Sequence, residues 1–126
     1  MQNDLSVKIT FEHSSDEGGE DNWMLEIEVR NGPTTGQFYV YNPAASARRL
    51  REVFSLDKIP KPIELGIDEA AVYIEAKMVD GRKMIILACH FMDDNPAGTV
   101  ITLPAEILAG PFKAALKNAV SRGYKG

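Results

Sequence analysis

Cysteine occurs once, as Cys89. One thiol excludes an internal disulfide framework and a four-thiolate zinc site, and it fits a reducing compartment. Histidine is nearly as scarce, with only His13 and His90. No apolar run approaches the roughly 20 residues that span a bilayer. The opening residues Met1-Gln2-Asn3-Asp4 lack the basic and apolar regions of a signal peptide. There is no nucleophile elbow, no phosphate-binding loop and no dinucleotide-type glycine pattern. What remains is ordinary globular composition: 126 residues, 44% apolar, 25% charged and 8% aromatic. These features predict one cytoplasmic domain over residues 1–126, with no membrane association and no cofactor.

Charge is unevenly spread. Residues 1–21 carry Asp4, Glu12, Asp16, Glu17, Glu20 and Asp21 against Lys8 alone, whereas the remaining chain is +1 within a total of −4. Arg48, Arg49 and Arg51 cluster on one predicted helix, and Lys113, Lys117, Arg122 and Lys125 dominate the C-terminal segment. Solvated helix faces and an acidic loop explain this polarity without any ligand. A partner of opposite charge is the functional alternative.

Periodicity divides the chain into strands and two helical stretches. Val7 to Glu12 alternates apolar and polar, as a half-buried strand does. His13 to Asn22 reads as a loop. Trp23, Leu25, Ile27 and Val29 share one face of a second strand, opposite Glu26, Glu28 and Arg30. A turn from Asn31 to Gly36 leads into a third strand, Gln37 to Tyr41. Leu50, Val53 and Phe54 give residues 44–56 the stripe of an amphipathic helix after Pro43. Ile59-Pro60-Lys61-Pro62 then requires an extended connector.

The second half starts with Ile63-Glu64-Leu65, and Ala71 to Val79 follows as a strand. Asp80-Gly81 predicts a tight hairpin into Lys83 to Met92. After a turn over residues 93–98, Thr99 to Leu103 is the last strand. Pro104 suits a helix N1 position. Gly110-Pro111 predicts a break, leaving a main helix from Pro111 to about Arg122 with Gly123 beyond its end. The expected fold is α+β, a predominantly antiparallel sheet of six or seven strands with two helices packed on it. Two halves, 1–62 and 63–126, share a β-β-β-α layout that reads as a pseudo-repeat.

Catalytic groups are hard to assemble from this inventory. Cys89 and His90 are adjacent on a strand and point to opposite faces, so they cannot form a nucleophile–base pair there. A core role suits Cys89. His90, Met92 and Asp94 alternate onto one strand face with Met84, Ile86 and Ala88, which reads as a core face rather than a metal site. Residues 16–21 lack the spacing of a calcium loop. No catalytic residue and no metal ligand is therefore assigned, and the chain is expected not to be an enzyme.

Tyrosine placement is more informative. Tyr39 and Tyr41 share one face of the third strand, and Tyr73 shares a face with Glu75 and Lys77. A covering helix would make these tyrosines a core edge, which is the expectation, and an open face would make them stacking or anchoring groups.

The second half, from Tyr73 through the Asp80-Gly81 hairpin to Thr99-Val100-Ile101-Thr102-Leu103-Pro104 and a helix, resembles in layout the repeat of PUR-type single-strand-binding proteins. That resemblance implies nucleic acid read by a curved antiparallel sheet. The strands nevertheless carry few cations beyond Lys77, Arg82 and Lys83. The layout also resembles small bacterial immunity proteins, in which acidic loops meet a basic toxin. The expectation is accordingly a non-catalytic interaction module, whose helices or exposed strand edge could support a homodimer. It would bind a protein partner through Asp16, Glu17, Glu20, Asp21, Tyr39 and Tyr41. The alternative is single-stranded nucleic acid held by Arg48, Arg49, Arg51, Tyr73 and Lys77.

Overall fold

In the computed structural model, residues 5–15, 21–32, 34–67, 70–91 and 99–125 are described. Among them, seven strands form two antiparallel sheets, where the sequence predicts one. The first sheet joins β1 (Leu5–Ser15), β2 (Asp21–Asn31) and β3 (Thr34–Tyr41) in chain order. The second joins β4 (Ile63–Ile67), β5 (Ala70–Val79), β6 (Arg82–Phe91) and β7 (Thr99–Pro104), also in chain order. Helix α1 (Ala47–Val53) links the sheets and α2 (Ala105–Ser121) closes the chain.

Each sheet turns one apolar face inward, and those faces meet in a single core. Phe11, Leu25, Ile27, Phe38 and Val40 from the first sheet pack with Ile74, Ile85, Leu87 and Leu103 from the second. Strand β3 approaches β5, β6 and β7 most closely. Gly36 permits this approach, because a Cβ there would stand 2.6 Å from the Ile101 side chain and 3.0 Å from the Phe38 ring. Helix α1 packs against β5 of the other half, and α2 packs chiefly against β1. Each helix thus seals the sheet to which its own half does not belong.

Local signals behave as their chemistry requires at the hairpin and at the chain end. Asp80 and Gly81 both take positive φ, 52° and 78°, and pair Val79 with Arg82 across a two-residue turn. Gly123, at φ 104°, ends α2. The Tyr124 amide donates to the Ala119 carbonyl and the Gly123 amide to Val120, the two bonds of a Schellman motif. Tyr124 then turns inward, 4.9 Å from Phe11 and 5.3 Å from Trp23.

Five expectations are corrected. The region of the predicted loop over 13–22 is shorter in its unpaired part, because β1 continues to Ser15 and β2 begins at Asp21. The first helical stretch is not continuous over 44–56: a 3-10 turn covers Pro43–Ser46 and α1 ends at Val53. Its end is fixed by the Lys83 ammonium on β6, which donates to the Glu52 and Ser55 carbonyls. Gly110-Pro111 does not break α2, since burial of Leu108, Phe112 and Ala119 on one continuous stripe outweighs the loss of one backbone hydrogen bond at Pro111. Pro104 is the cap preceding that helix rather than its first turn. On β6 the core face is Ile85, Leu87 and Cys89, whereas Met84, Ile86 and Ala88 are half-buried on the other side. Both faces of β6 are apolar, so alternation alone could not choose between them.

Candidate functional site

Antiparallel register sets the outer face of the first sheet. With Phe11, Leu25, Ile27, Phe38 and Val40 turned inward, their neighbours must turn outward. Three cross-strand rows result: Lys8–Glu28–Gln37, Thr10–Glu26–Tyr39 and Glu12–Met24–Tyr41. Among the described residues no helix covers this face, and α1 and α2 pack on the core side. Tyr41 is 53% exposed and Tyr39 is partly exposed. The expectation that a helix covers these tyrosines is therefore corrected.

The electrostatics of this face are unbalanced. Glu28 has a cationic neighbour in Arg30, at 3.7 Å. Glu26 has both the Glu12 carboxyl and the Lys8 ammonium diagonally across the β1–β2 pair, and the charge and hydrogen bond of Glu12 outweigh the opposing pull of Lys8. Partial burial, and then the charges of Glu12 and Glu28, push the Glu26 carboxyl above its ordinary range. Burial and the same carboxylates also raise the Tyr39 phenol. Tyr39 donates a 3.2 Å hydrogen bond to the Gln37 Oε1, which steadies its ring on the sheet. A shallow polar depression at Ser6, Lys8, Glu28 and Arg30 adjoins the rows. Glu12 is the member that sequence reading missed: alternation placed it opposite the core, but only the strand register brings it to Glu26.

Of the acidic segment, Asp16, Glu17 and Glu20 lie outside the described residues, as does the side chain of Asp21, whose backbone opens β2 against Ser15. Ser15 stands three register positions beyond Glu12, so the segment departs from the end of the sheet that carries Glu12 and Tyr41.

The cationic set is divided. Arg48, Arg49 and Arg51 are exposed on α1, which packs on the core side of β5. Tyr73 and Lys77 point from β5 to the opposite side, because Val72, Ile74 and Ala76 are the buried residues of that strand. Arg48 is also paired with Glu52 at 3.7 Å, and Arg49 donates to the Pro62 carbonyl at 2.9 Å. Tyr73 donates a 2.8 Å hydrogen bond to Glu75, and that bond, with some burial and the nearby Glu64, raises its phenol. Two carboxylates thus flank the one tyrosine of that face.

The remaining chemical candidates are dispersed. Cys89 is buried, and burial pushes its thiol up, away from the reactive thiolate. His13 stacks on Trp23 with ring centroids 4.6 Å apart. The side chains of His90, Met92 and Asp94 fall outside the described residues. Among the described residues no group of three histidine, cysteine or carboxylate side chains converges as a metal site. No helix of the described residues is long and apolar enough to cross a membrane. No protein-family model and no curated protein matches the chain.

Proposed function

We propose that the protein is a non-catalytic binding module that docks a cationic protein surface on the open face of its first sheet. The observation that carries this reading is the Glu12–Glu26 carboxyl pair, lying in the rows of Tyr39 and Tyr41, whose mutual repulsion Lys8 offsets only in part. Such a pair is strained while it faces only water and its own neighbours. An arginine or lysine of a partner would relieve the repulsion between the two carboxyls. The tyrosines supply rigid amphipathic area beside the charge, the combination that anchors protein interfaces. An open, three-stranded sheet face suits a macromolecule better than a small ligand. The acidic segment containing Asp16, Glu17, Glu20 and Asp21, which joins β1 to β2 in the chain, carries charge of the same sign and would steer a basic partner towards this sheet.

The second reading, single-stranded nucleic acid on a PUR-like layout, is favoured by the exposed arginines of α1. Its arginines stand on the opposite side of the second sheet from Tyr73 and Lys77, which weakens it. Calorimetric titration separates the two readings, using an arginine-rich peptide, an acidic peptide of equal length and a single-stranded oligonucleotide. Binding of the basic peptide alone, lost about tenfold (roughly 1.4 kcal/mol) on Glu26→Lys, supports the first. Salt-sensitive oligonucleotide binding abolished by Arg48→Glu with Arg49→Glu replaces it with the second.

A further inference from the structure

A groove of about 600 Å³ lies between the C-terminal end of α1 and the middle of α2, on a part of the surface that the acidic sheet face does not include. Its floor is the tilted pair Phe54 and Phe112, with ring centroids 4.8 Å apart. Leu56 and Leu116 form apolar walls, and Leu56 is 63% exposed. The volume falls within the roughly 300–1,000 Å³ of small-ligand sites.

Polar groups on this groove are few and of one sign. Arg51 comes from α1 and Lys113 from α2, and among the described residues neither has an ion-pair partner. The Ser55 hydroxyl donates to the Glu52 carbonyl and is thereby used within the chain. The negative end of α1 would ordinarily repel an anion at this place. The Lys83 ammonium covers it by donating to the Glu52 and Ser55 carbonyls. An apolar floor, two uncommitted cations and a neutralised helix end fit an elongated apolar molecule with an anionic head.

We infer that this groove binds a free amphipathic carboxylate of the fatty-acid class, its chain on Phe54, Phe112 and Leu116 and its carboxylate held by Arg51 and Lys113. Gly110 provides the control that tests it. It lines the groove within α2, and a Cβ added there meets nothing within 4 Å. The Cβ of a substituted residue therefore stands in open space, and Gly110→Leu brings apolar bulk to the groove while improving helix propensity.

The experiment titrates the protein by calorimetry with dodecanoate below its micelle concentration, beside dodecyltrimethylammonium and dodecan-1-ol. The expected result is one dodecanoate per chain, bound at least about tenfold more tightly than either control. Arg51→Glu with Lys113→Glu lowers that affinity by about tenfold or more, and Gly110→Leu abolishes it with the melting temperature unchanged or raised. Equal binding of all three probes, no dodecanoate binding, or binding indifferent to these substitutions overturns the inference. So does a dimer in solution that Gly110→Leu dissociates, since a second copy would then be the occupant.

Discussion

Glu26 shows how one side chain records the state of a whole face. Its carboxyl is raised by burial, by Glu12 and by Glu28, so the folded chain holds that proton more tightly than the unfolded chain does. Stability tied to this group is therefore complete below the ordinary carboxyl range and is lost as pH rises through the raised value. Glu26→Gln should raise the melting temperature at pH 7 by roughly 1–3 °C, as expected for relief of a few tenths of a kcal/mol. The gain should vanish near pH 4, which thermal scans at the two pH values would show. Arg122 is the opposite case, a cation with three partners. It donates to the Phe11 carbonyl at 2.7 Å and to the Asn118 side chain at 2.9 Å, and it lies 5.3 Å from the centre of the Trp23 ring. Arg122→Ala should cost about 1–2 kcal/mol in urea unfolding. Arg122→Lys should recover less than half, because a lysine cannot reach a carbonyl and an amide at once with a planar fork.

At the scale of elements, what the sequence made legible depended on whether the signal was local. The Asp80-Gly81 hairpin and the end of α2 at Gly123 were legible because positive φ is a property of single residues. Alternation placed Leu25, Ile27 and Val29 on the core face, since Glu26, Glu28 and Arg30 oppose them. It failed on β6, where Met84, Ile86 and Ala88 are as apolar as Ile85, Leu87 and Cys89. It failed again at Pro111, where a strong local breaker sits inside a helix held by its packing on β1. That helix carries a cost which a substitution can remove: Pro111→Ala should stabilise the protein by about 1–3 kcal/mol, by restoring the amide donor to the Ile107 carbonyl. Chemical denaturation would measure it, and an unchanged midpoint would mean that the helix is already relaxed around the proline. Gly36 is the converse, a residue whose role only the tertiary fold shows. Gly36→Val should destabilise by about 1–3 kcal/mol, because Ile101 and the Phe38 ring occupy the space its side chain needs.

The whole molecule is defined by how its two halves exchange contacts. Each sheet turns an apolar face inward, and each is sealed by a helix belonging to the other half. Among the described residues both outer sheet faces are left without a helix. This arrangement was not legible in the chain, because periodicity reports which face is buried and never what buries it. It explains why Tyr39 and Tyr41 end on an open surface, and why Glu12, read from the sequence only as one acid among several, meets Glu26 there. It also separates the arginines of α1 from Tyr73 and Lys77, which the sequence offered as one set. The central claim is that the acidic, tyrosine-bearing face of the first sheet is the binding surface. The most direct test is an amide-resolved NMR titration with an arginine-rich peptide at near-physiological salt. The account predicts shifts concentrated on Thr10, Glu12, Glu26, Tyr39 and Tyr41, and their loss in Glu12→Gln with Glu26→Gln. Shifts confined to α1, or a spectrum that the peptide leaves unchanged, would contradict it.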